Sequence, residues 1–281
     1  MVGSLHQPLQ RAIGFVKCPS CHQVRRATTH TRPSLYDIII VGGGIAGLIL
    51  KSALKNRPET SHLRTALLEA NSLLPARRWA PPTNEYANRC SSITPGTLRF
   101  LQEIHVKDQI MAERLQEYAR MRVWDGITGA RIRFGDSLGD ETCIATMTEN
   151  INLQHACLQS IGEDPDVIDG ARVESIAYGR DEGDIDLTSW PVVQLQSGER
   201  MAARLLIGAD GANSPVRTFA EIDSSGWDYG RVGLVATMTV ASARSPRAAF
   251  QRFLPSGPIA YLPVSLPDAV LICSSRGRWP H

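Results

Sequence analysis

The 281 residues, 43% hydrophobic and 21% charged, have the composition of a globular protein of one or two domains and exclude a disordered or fibrous chain. The longest apolar run, Ile38 to Leu50, is broken by four glycines and falls short of the roughly 18–20 uncharged residues of a membrane-spanning helix. The net charge of +2 conceals an asymmetry: Arg11, Lys17, Arg25, Arg26 and Arg32 lie in residues 1–35 beside no acid, and setting these five apart from the total of 30 leaves 25 basic residues against 28 acids. That basic, acid-free, Ser/Thr-containing leader predicts a mitochondrial transit peptide over residues 1–35. It is not a secretory signal, because the apolar stretch Ile13 to Val16 is too short for an h-region. A nucleic-acid arm is disfavoured, since the body offers no basic patch to extend it, and no nucleic-acid partner is expected. Within the leader, Cys18-Pro-Ser-Cys-His22 has the spacing of a c-type haem attachment and of half a zinc site. Its place ahead of the first strand, and the want of a second CxxC, argue against both, and no metal is expected. Cys90, Cys143, Cys157 and Cys273 have no framework spacing and predict buried thiols in a reducing compartment.

The first folded element is the most informative. Asp37-Ile-Ile-Ile-Val-Gly-Gly-Gly-Ile-Ala-Gly-Leu48, followed by Thr65-Ala-Leu-Leu-Glu69, predicts a strand, a glycine turn, a helix over Ala46 to Asn56 and a second strand ending in an acid. Such a unit holds a dinucleotide. Gly42 permits the tight turn, Gly44 lets backbone N–H groups approach a pyrophosphate, and Gly47 lets the helix pack closely on the strand. The phosphates meet the positive end of the helix dipole. Glu69 stands where an acid accepts hydrogen bonds from the adenosine ribose, and its charge repels the 2′-phosphate of NADP, so FAD or NAD is favoured.

Pro75 to Pro82 reads as a loop, and Asn88 to Gly96 leads into a helix that Thr94 caps and Pro95 opens. Met121 to Gly126 and Ala130 to Phe134 alternate apolar and polar residues about a Gly/Thr turn and predict a hairpin, which interrupts the α/β pattern with antiparallel sheet. Asn150 to Ile161 reads as an amphipathic helix, and Trp190 to Leu195 with Met201 to Ile207 flank the turn Ser197-Gly198 as a strand pair. Leu205 to Arg217 then predicts a buried strand, an Asp210-Gly211 turn and a helix, repeating the first unit. At the carboxyl end of such a strand Asp210 projects toward the crevice of Gly42 to Gly47. Val232 to Val240 and Ala249 to Val264, with a turn at Pro255 to Pro258, read as further strands.

Taken together, Gly42-Gly-Gly-Ile-Ala-Gly47, Asn88-Arg-Cys-Ser-Ser-Ile93, Met121-Arg-Val-Trp-Asp125, Gly208-Ala-Asp-Gly-Ala-Asn-Ser-Pro-Val-Arg217 and Gln251 to Ala260 resemble the FAD-dependent aromatic hydroxylases of ubiquinone biosynthesis, the mitochondrial monooxygenase group above all. The resemblance runs from about Tyr36 to about Leu266. It implies an α/β fold: a Rossmann-like, para-hydroxybenzoate-hydroxylase-like FAD-binding domain over residues 36–118 and 146–220, with an antiparallel β-sheet substrate domain over 119–145 and 221–281. It implies that Gly42, Gly44 and Gly47 hold the FAD pyrophosphate and Glu69 the adenosine ribose. Arg89 would reach the flavin phosphates, and Asp210 with Gly211 would line the flavin. The implied activity is hydroxylation of a polyprenylated phenolic precursor of ubiquinone through a flavin C4a-hydroperoxide. Because the cofactor does the hard step, no catalytic triad is needed, and no catalytic side chain is assigned.

The resemblance further implies ferredoxin and ferredoxin reductase as electron donors, other ubiquinone-biosynthesis proteins as partners, and a peripheral place on the matrix side of the inner membrane. Members of the family carry a later Gly-Asp-Ala-Ala-His motif that caps the flavin, whereas this chain stops at Arg276-Gly-Arg-Trp-Pro-His281. The resemblance is therefore to a C-terminally truncated member, and a noncatalytic subunit of the ubiquinone-synthesis complex is the alternative. An NAD-dependent dehydrogenase is a weaker alternative, since it leaves Gly208 to Arg217 without a role.

Overall fold

The structure, a computed structural model, describes residues 32–83, 85–135, 143–239, 247–265 and 269–277. The leader up to Thr31, with its Cys18 to His22 motif, lies outside the described residues. In chain order the elements are β1 (Ser34–Val41), α1 (Ile45–Asn56), β2 (Thr65–Glu69), α2 (Leu74–Arg77), β3 (Cys90–Ile93), α3 (Pro95–Glu103), β4 (Gln116–Tyr118), β5 (Arg120–Asp125), β6 (Arg131–Phe134) and β7 (Ala145–Glu149). They continue with α4 (Asn150–Ile161), β8 (Val167–Asp169), β9 (Val173–Tyr178), β10 (Pro191–Leu195), β11 (Arg200–Gly208), α5 (Pro215–Phe219), β12 (Arg231–Thr239), β13 (Ala248–Leu254), β14 (Gly257–Ser265) and β15 (Ala269–Gly277).

β1 is a near-continuous β-branched run because it is covered on both faces. Ile38 and Ile40 point into one core with Leu48 of α1, Leu67 of β2 and Leu153, Ala156, Cys157 and Leu158 of α4. Tyr36, Ile39 and Val41 point into a second core with Ala66, Leu68, Val193, Met201 and Ala203. Ile39 and Ile40 are fully buried, and each such side chain contributes roughly 1.5–3 kcal/mol of transfer free energy. The sheet built on this strand runs β8-β2-β1-β11-β10-β9, parallel from β8 to β11 and antiparallel beyond. β1 is thus flanked by β2 on one side and β11 on the other. A second sheet runs β12-β15-β14-β13-β5-β6, and a third, small one runs β3-β7-β4.

The helix caps and turns agree with the residues that were expected to make them. Thr94 accepts the Thr97 amide at 3.3 Å at the start of α3, and β5 and β6 pair antiparallel from Met121↔Phe134 to Trp124↔Arg131. Four expectations need correction. The first part of the Pro75 to Pro82 loop is a turn of helix, α2, in which Pro75 occupies an early position where its missing N–H costs nothing. The segment Asn88 to Ile93 is not only a lead-in to α3, because Cys90–Ile93 pairs with β7. α4 is buried around most of its circumference rather than amphipathic; its polar members Asn152 and His155 are satisfied by the Met111 backbone and the Ala76 carbonyl. β11 is buried only in its first half. β10 pairs with it up to Ala202, beyond which β1 is the one strand paired with β11, and Leu205 is 51% exposed.

Candidate cofactor site

The crevice opens where β1 ends between its two parallel neighbours, the place at which open α/β sheets bind ligands. Gly42 has φ of +111°, and a Cβ built on it would stand 2.2 Å from the Ala209 carbonyl oxygen, so the tip of β1 lies directly against the tip of β11. A Cβ on Gly47 would stand 1.9 Å from the Gly42 carbonyl oxygen, which seats the first turn of α1 on the glycine turn. Gly44 differs from both: its φ is −68°, and a Cβ there meets nothing within 4 Å. It faces the open groove. No side chain caps the α1 N-terminus, and its first turn carries no acid; Glu69 takes the Gly43 amide, and the amides of the first turn of α1 are left for an anion.

Glu69, at the end of β2, is held at the lip of this groove. Its Oε2 accepts the Gly43 amide at 2.6 Å, and its Oε1 accepts the Asn71 amide at 2.8 Å and the Asn71 side-chain nitrogen at 3.0 Å. The carboxylate is thereby oriented before any ligand arrives, with acceptor capacity to spare. On the other side Asp210 accepts the Val216 amide at 3.3 Å, and Ser214 caps α5 by accepting the Arg217 amide at 2.9 Å. Gly211 has φ of +82°. The groove has a volume of about 450 Å³ and brings together Gly42, Gly44, Glu69, Asp210 and Gly211, with Asn71, Arg172 and Asn213 added to the expected set. Asn213 belongs to the Gly208 to Arg217 motif though it was not among the expected site residues, whereas Asn71 and Arg172 carry no motif and their place follows from the fold.

Arg89 lines a different hollow, of about 390 Å³, with Ile45, Ala87, Asn150, Ile151 and Gln154. Ile45 follows Gly44 in α1, so the two hollows flank one helix N-terminus. Arg89 is anchored through its carbonyl, which accepts the Asn150 amide at 2.8 Å. The segment before it is fixed by a buried ion pair that the residue pattern did not reveal. Arg114 and Glu149, 4% and 2% exposed, lie 3.5 Å apart. Arg114 donates to the Pro82 and Glu85 carbonyls at 2.7 and 2.9 Å and lies over the Tyr86 ring at 4.2 Å, while Glu149 Oε1 accepts the Ala87 amide at 2.6 Å. Glu149 Oε2 has no hydrogen-bond partner among the described residues. Both charges are distant in sequence, and only the fold brings them together.

The groups driven off their ordinary ionisation lie away from the groove. Burial pushes the Cys157 thiol up to about 12, in the core beneath α1. Burial and a 2.8 Å hydrogen bond to Asp166 push Tyr36 up to about 12 near the opposite end of β1. Cys90 and Cys143 are half-buried rather than buried, because each sits at the edge of the small sheet and its neighbouring loop.

A dinucleotide fits these residues. A side-chain-free cradle at Gly44, unencumbered helix amides and a pre-oriented acid at the adjoining strand end supply the contacts that a pyrophosphate and a ribose need. Residues 35–265 match the family described as FAD binding domain. The ubiquinone biosynthesis monooxygenase COQ6, mitochondrial, of Xenopus tropicalis is 37% identical over 251 residues, which cover 89% of this chain and 53% of that protein. Its counterpart of Saccharomyces cerevisiae is 36% identical over 254 residues, covering 88% and 51%. The chain spans about half the length of these curated relatives. Among solved structures, PqsL, a probable FAD-dependent monooxygenase from Pseudomonas aeruginosa, has a TM-score of 0.66 at 20% identity, covering 87% of this chain and 61% of that one. The flavin-dependent monooxygenase PieE in complex with FAD and substrate has a TM-score of 0.65 at 16% identity, covering 89% and 44%.

Proposed function

Because the chain belongs to the FAD binding domain family, we propose that it is the part of a flavoprotein monooxygenase that holds FAD and presents the substrate sheet, and that the enzyme hydroxylates the aromatic ring of a polyprenylated benzenoid precursor in ubiquinone biosynthesis. The fold is the para-hydroxybenzoate-hydroxylase-like α/β fold of the family, and FAD is the family's cofactor. The domain limits proposed are a nucleotide-binding part over residues 36–118 and 146–220 and a sheet part over 119–145 and 221–281.

The observation that carries the reading is the groove at the end of β1, in which Gly44 leaves room for a pyrophosphate and Glu69 is already oriented. When bound, FAD supplies the oxygen activation and electron transfer that side chains cannot. The chain's own residues bind and orient. The Gly44 and Ile45 end of α1 would hold the pyrophosphate, with Gly42 and Gly47 packing that end in place. Glu69 would accept from the adenosine ribose, Arg89 would meet the phosphates from the neighbouring hollow, and Asp210 with Gly211 would border the flavin. The face of the second sheet that carries Met121, Ala249, Leu262 and Val264 packs on Tyr118 and Met147. It would form the dry wall against which an apolar substrate is aligned.

The relatives are named mitochondrial, and we extend that location to this chain, with a peripheral place on the matrix side of the inner membrane. Ferredoxin with its reductase would deliver electrons, and other ubiquinone-biosynthesis proteins would be its neighbours. The test is a titration of the purified chain with FAD, followed by the visible flavin spectrum and quenching of flavin emission. Gly44→Ala is expected to weaken FAD by at least thirty-fold, about 2 kcal/mol, while leaving the unfolding midpoint unmoved, since the added Cβ touches nothing in the chain. Binding of NAD with no retention of FAD would overturn the reading.

A further inference from the structure

The antiparallel sheet has a second face, directed away from the small sheet and the core against which Met121, Ala249 and Val264 pack. Strand register places its residues in rows. One row runs Arg131 of β6, Trp124 of β5, Arg252 of β13 and Ile259 of β14, and reaches Leu234 of β12 through β15. The next runs Arg133, Arg122, Phe250 and Tyr261 to Ala236. The rings form a continuous edge-to-face series, Trp124 to Phe250 at 6.4 Å and Phe250 to Tyr261 at 5.8 Å. Across roughly 24 Å, at about 4.8 Å per strand spacing, the face therefore changes from interleaved guanidinium and aromatic side chains on β6, β5 and β13 to aliphatic ones on β12. The aliphatic end is exposed: Leu234 by 68%, Val232 by 56% and Met238 by 51%. A hollow of about 330 Å³ lies at the basic end between Arg122, Trp124, Arg131 and Phe250. The expectation that the body has no basic patch is thereby corrected: the β5–β6 hairpin brings Arg122, Arg131 and Arg133 together, and register adds Arg252 from more than a hundred residues away.

We propose that this face is a docking surface for an anionic phospholipid membrane, with Arg122, Arg131 and Arg252 on the headgroup phosphates, Trp124 and Tyr261 at the interface level, and Leu234, Val232 and Met238 toward the acyl chains. Charge complementarity and the order of the chemistry argue for that occupant. Among the described residues, no carboxylate lies on the rows that hold the arginines. Arg interleaved with aromatic rings, and then aliphatic side chains, match the headgroup and interface region and then the hydrocarbon layer. An acidic protein would match the guanidiniums and leave the aliphatic end in water. The inference deepens the peripheral location proposed above and rests on it only for which membrane is met.

The test is co-sedimentation of the purified chain with phosphatidylcholine vesicles containing or lacking phosphatidylglycerol. Binding is expected only to the anionic vesicles and is expected to fall as salt is raised. The triple variant Arg122→Gln, Arg131→Gln, Arg252→Gln should lose about a hundred-fold in partitioning, at about five-fold for each guanidinium. The corresponding triple lysine variant should stay within a few-fold of wild type, which separates lost charge from damaged folding. Wild-type protein that ignores anionic vesicles overturns both the face and the peripheral location. Wild type that binds while the glutamine variant binds equally overturns the face alone. A wild-type dimer that the glutamine variant dissociates, or preferential capture of duplex DNA, assigns the face to another occupant and overturns the lipid proposal.

Discussion

Two strand-turn-helix units meet at the crevice, and they are built on different physics. In the first, β1, the glycine turn and α1 are sealed by contact: Gly42 and Gly47 have main-chain oxygens at 2.2 and 1.9 Å from any added Cβ, and the helix runs for 12 residues. In the second, β11 turns at Asp210-Gly211 into a helix of five residues; Gly211 has open space around it, and the second half of β11 is partly exposed. The glycine turn of the first unit is enclosed by main chain, whereas the Asp210-Gly211 turn of the second is open at Gly211, although Gly208 just before it packs on Val216. The contrast matters for a cofactor that spans both. One turn leaves no room for a side chain, and the other has open space at Gly211 into which a ligand can pack.

The comparison breaks most readily at Gly42. Alanine there combines a strained positive φ with a backbone clash, and about 4 kcal/mol of stability should be lost. Urea unfolding measures it, and a midpoint near that of wild type would mean that the first unit is not sealed as described. Next in size is the buried pair that secures the approach to Arg89. Glu149→Ala strands Arg114 in the interior and should cost about 3 kcal/mol. The double variant Glu149→Leu, Arg114→Met should recover most of that loss. If the single and double variants were equally destabilised, the ion pair would not be what holds the segment around Tyr86.

The first unit should also carry an alkaline pH dependence that the second lacks. Tyr36 on β1 is pushed up to about 12 by burial and by its bond to Asp166, whereas its register partner on β11, Ala203, has nothing to ionise. An unfolded tyrosine ionises near 10. The folded chain therefore retains a proton that the unfolded chain gives up. Stability from this source is intact below about pH 10 and falls between about 10 and 12, by roughly 3 kcal/mol in all. Chemical denaturation across that range should show the slope in the wild type and not in Tyr36→Phe. Equal slopes would place the alkaline loss elsewhere.

What the residue order disclosed divides along the same line. Gly42, Gly44, Gly47 and Glu69 belong to one strand-turn-helix-strand unit whose glycine spacing reports a local geometry, and the structure gathers Gly42, Gly44 and Glu69, with Asp210 and Gly211, around a single groove that Gly47 supports from behind. Arg114 with Glu149, Arg172 in the groove, and the arginine rows of the antiparallel sheet gave no such signal. Apart from the arginines within the β5–β6 hairpin, each depends on residues far apart in the chain, and a charged residue reads the same whether it ends up solvated, paired or aligned. β3, β4 and β7 have no hairpin-turn signal or glycine motif beside them, which is what makes strands as short as β2 and β6 legible. The half-exposed end of β11 escaped for another reason: an apolar run announces burial, yet it says nothing of where a neighbouring strand stops.

The smallest effect is expected at Gly211, and it tests the contrast most finely. Its φ of +82° is one that L side chains rarely adopt, but nothing lies within 4 Å of a Cβ placed there. Alanine should therefore cost only the conformational term, about 1 kcal/mol. Asparagine, which tolerates the left-handed region, should cost less than alanine. At Gly42, by contrast, asparagine should be no better than alanine, because the Ala209 carbonyl excludes any side chain whatever its backbone preference. The order of the alanine and asparagine variants at the two positions thus separates a turn held by packing from one held by dihedral angle. Were Gly211→Asn to destabilise as much as Gly42→Asn, the second turn would be as tightly enclosed as the first, and the cofactor would meet two rigid walls rather than one.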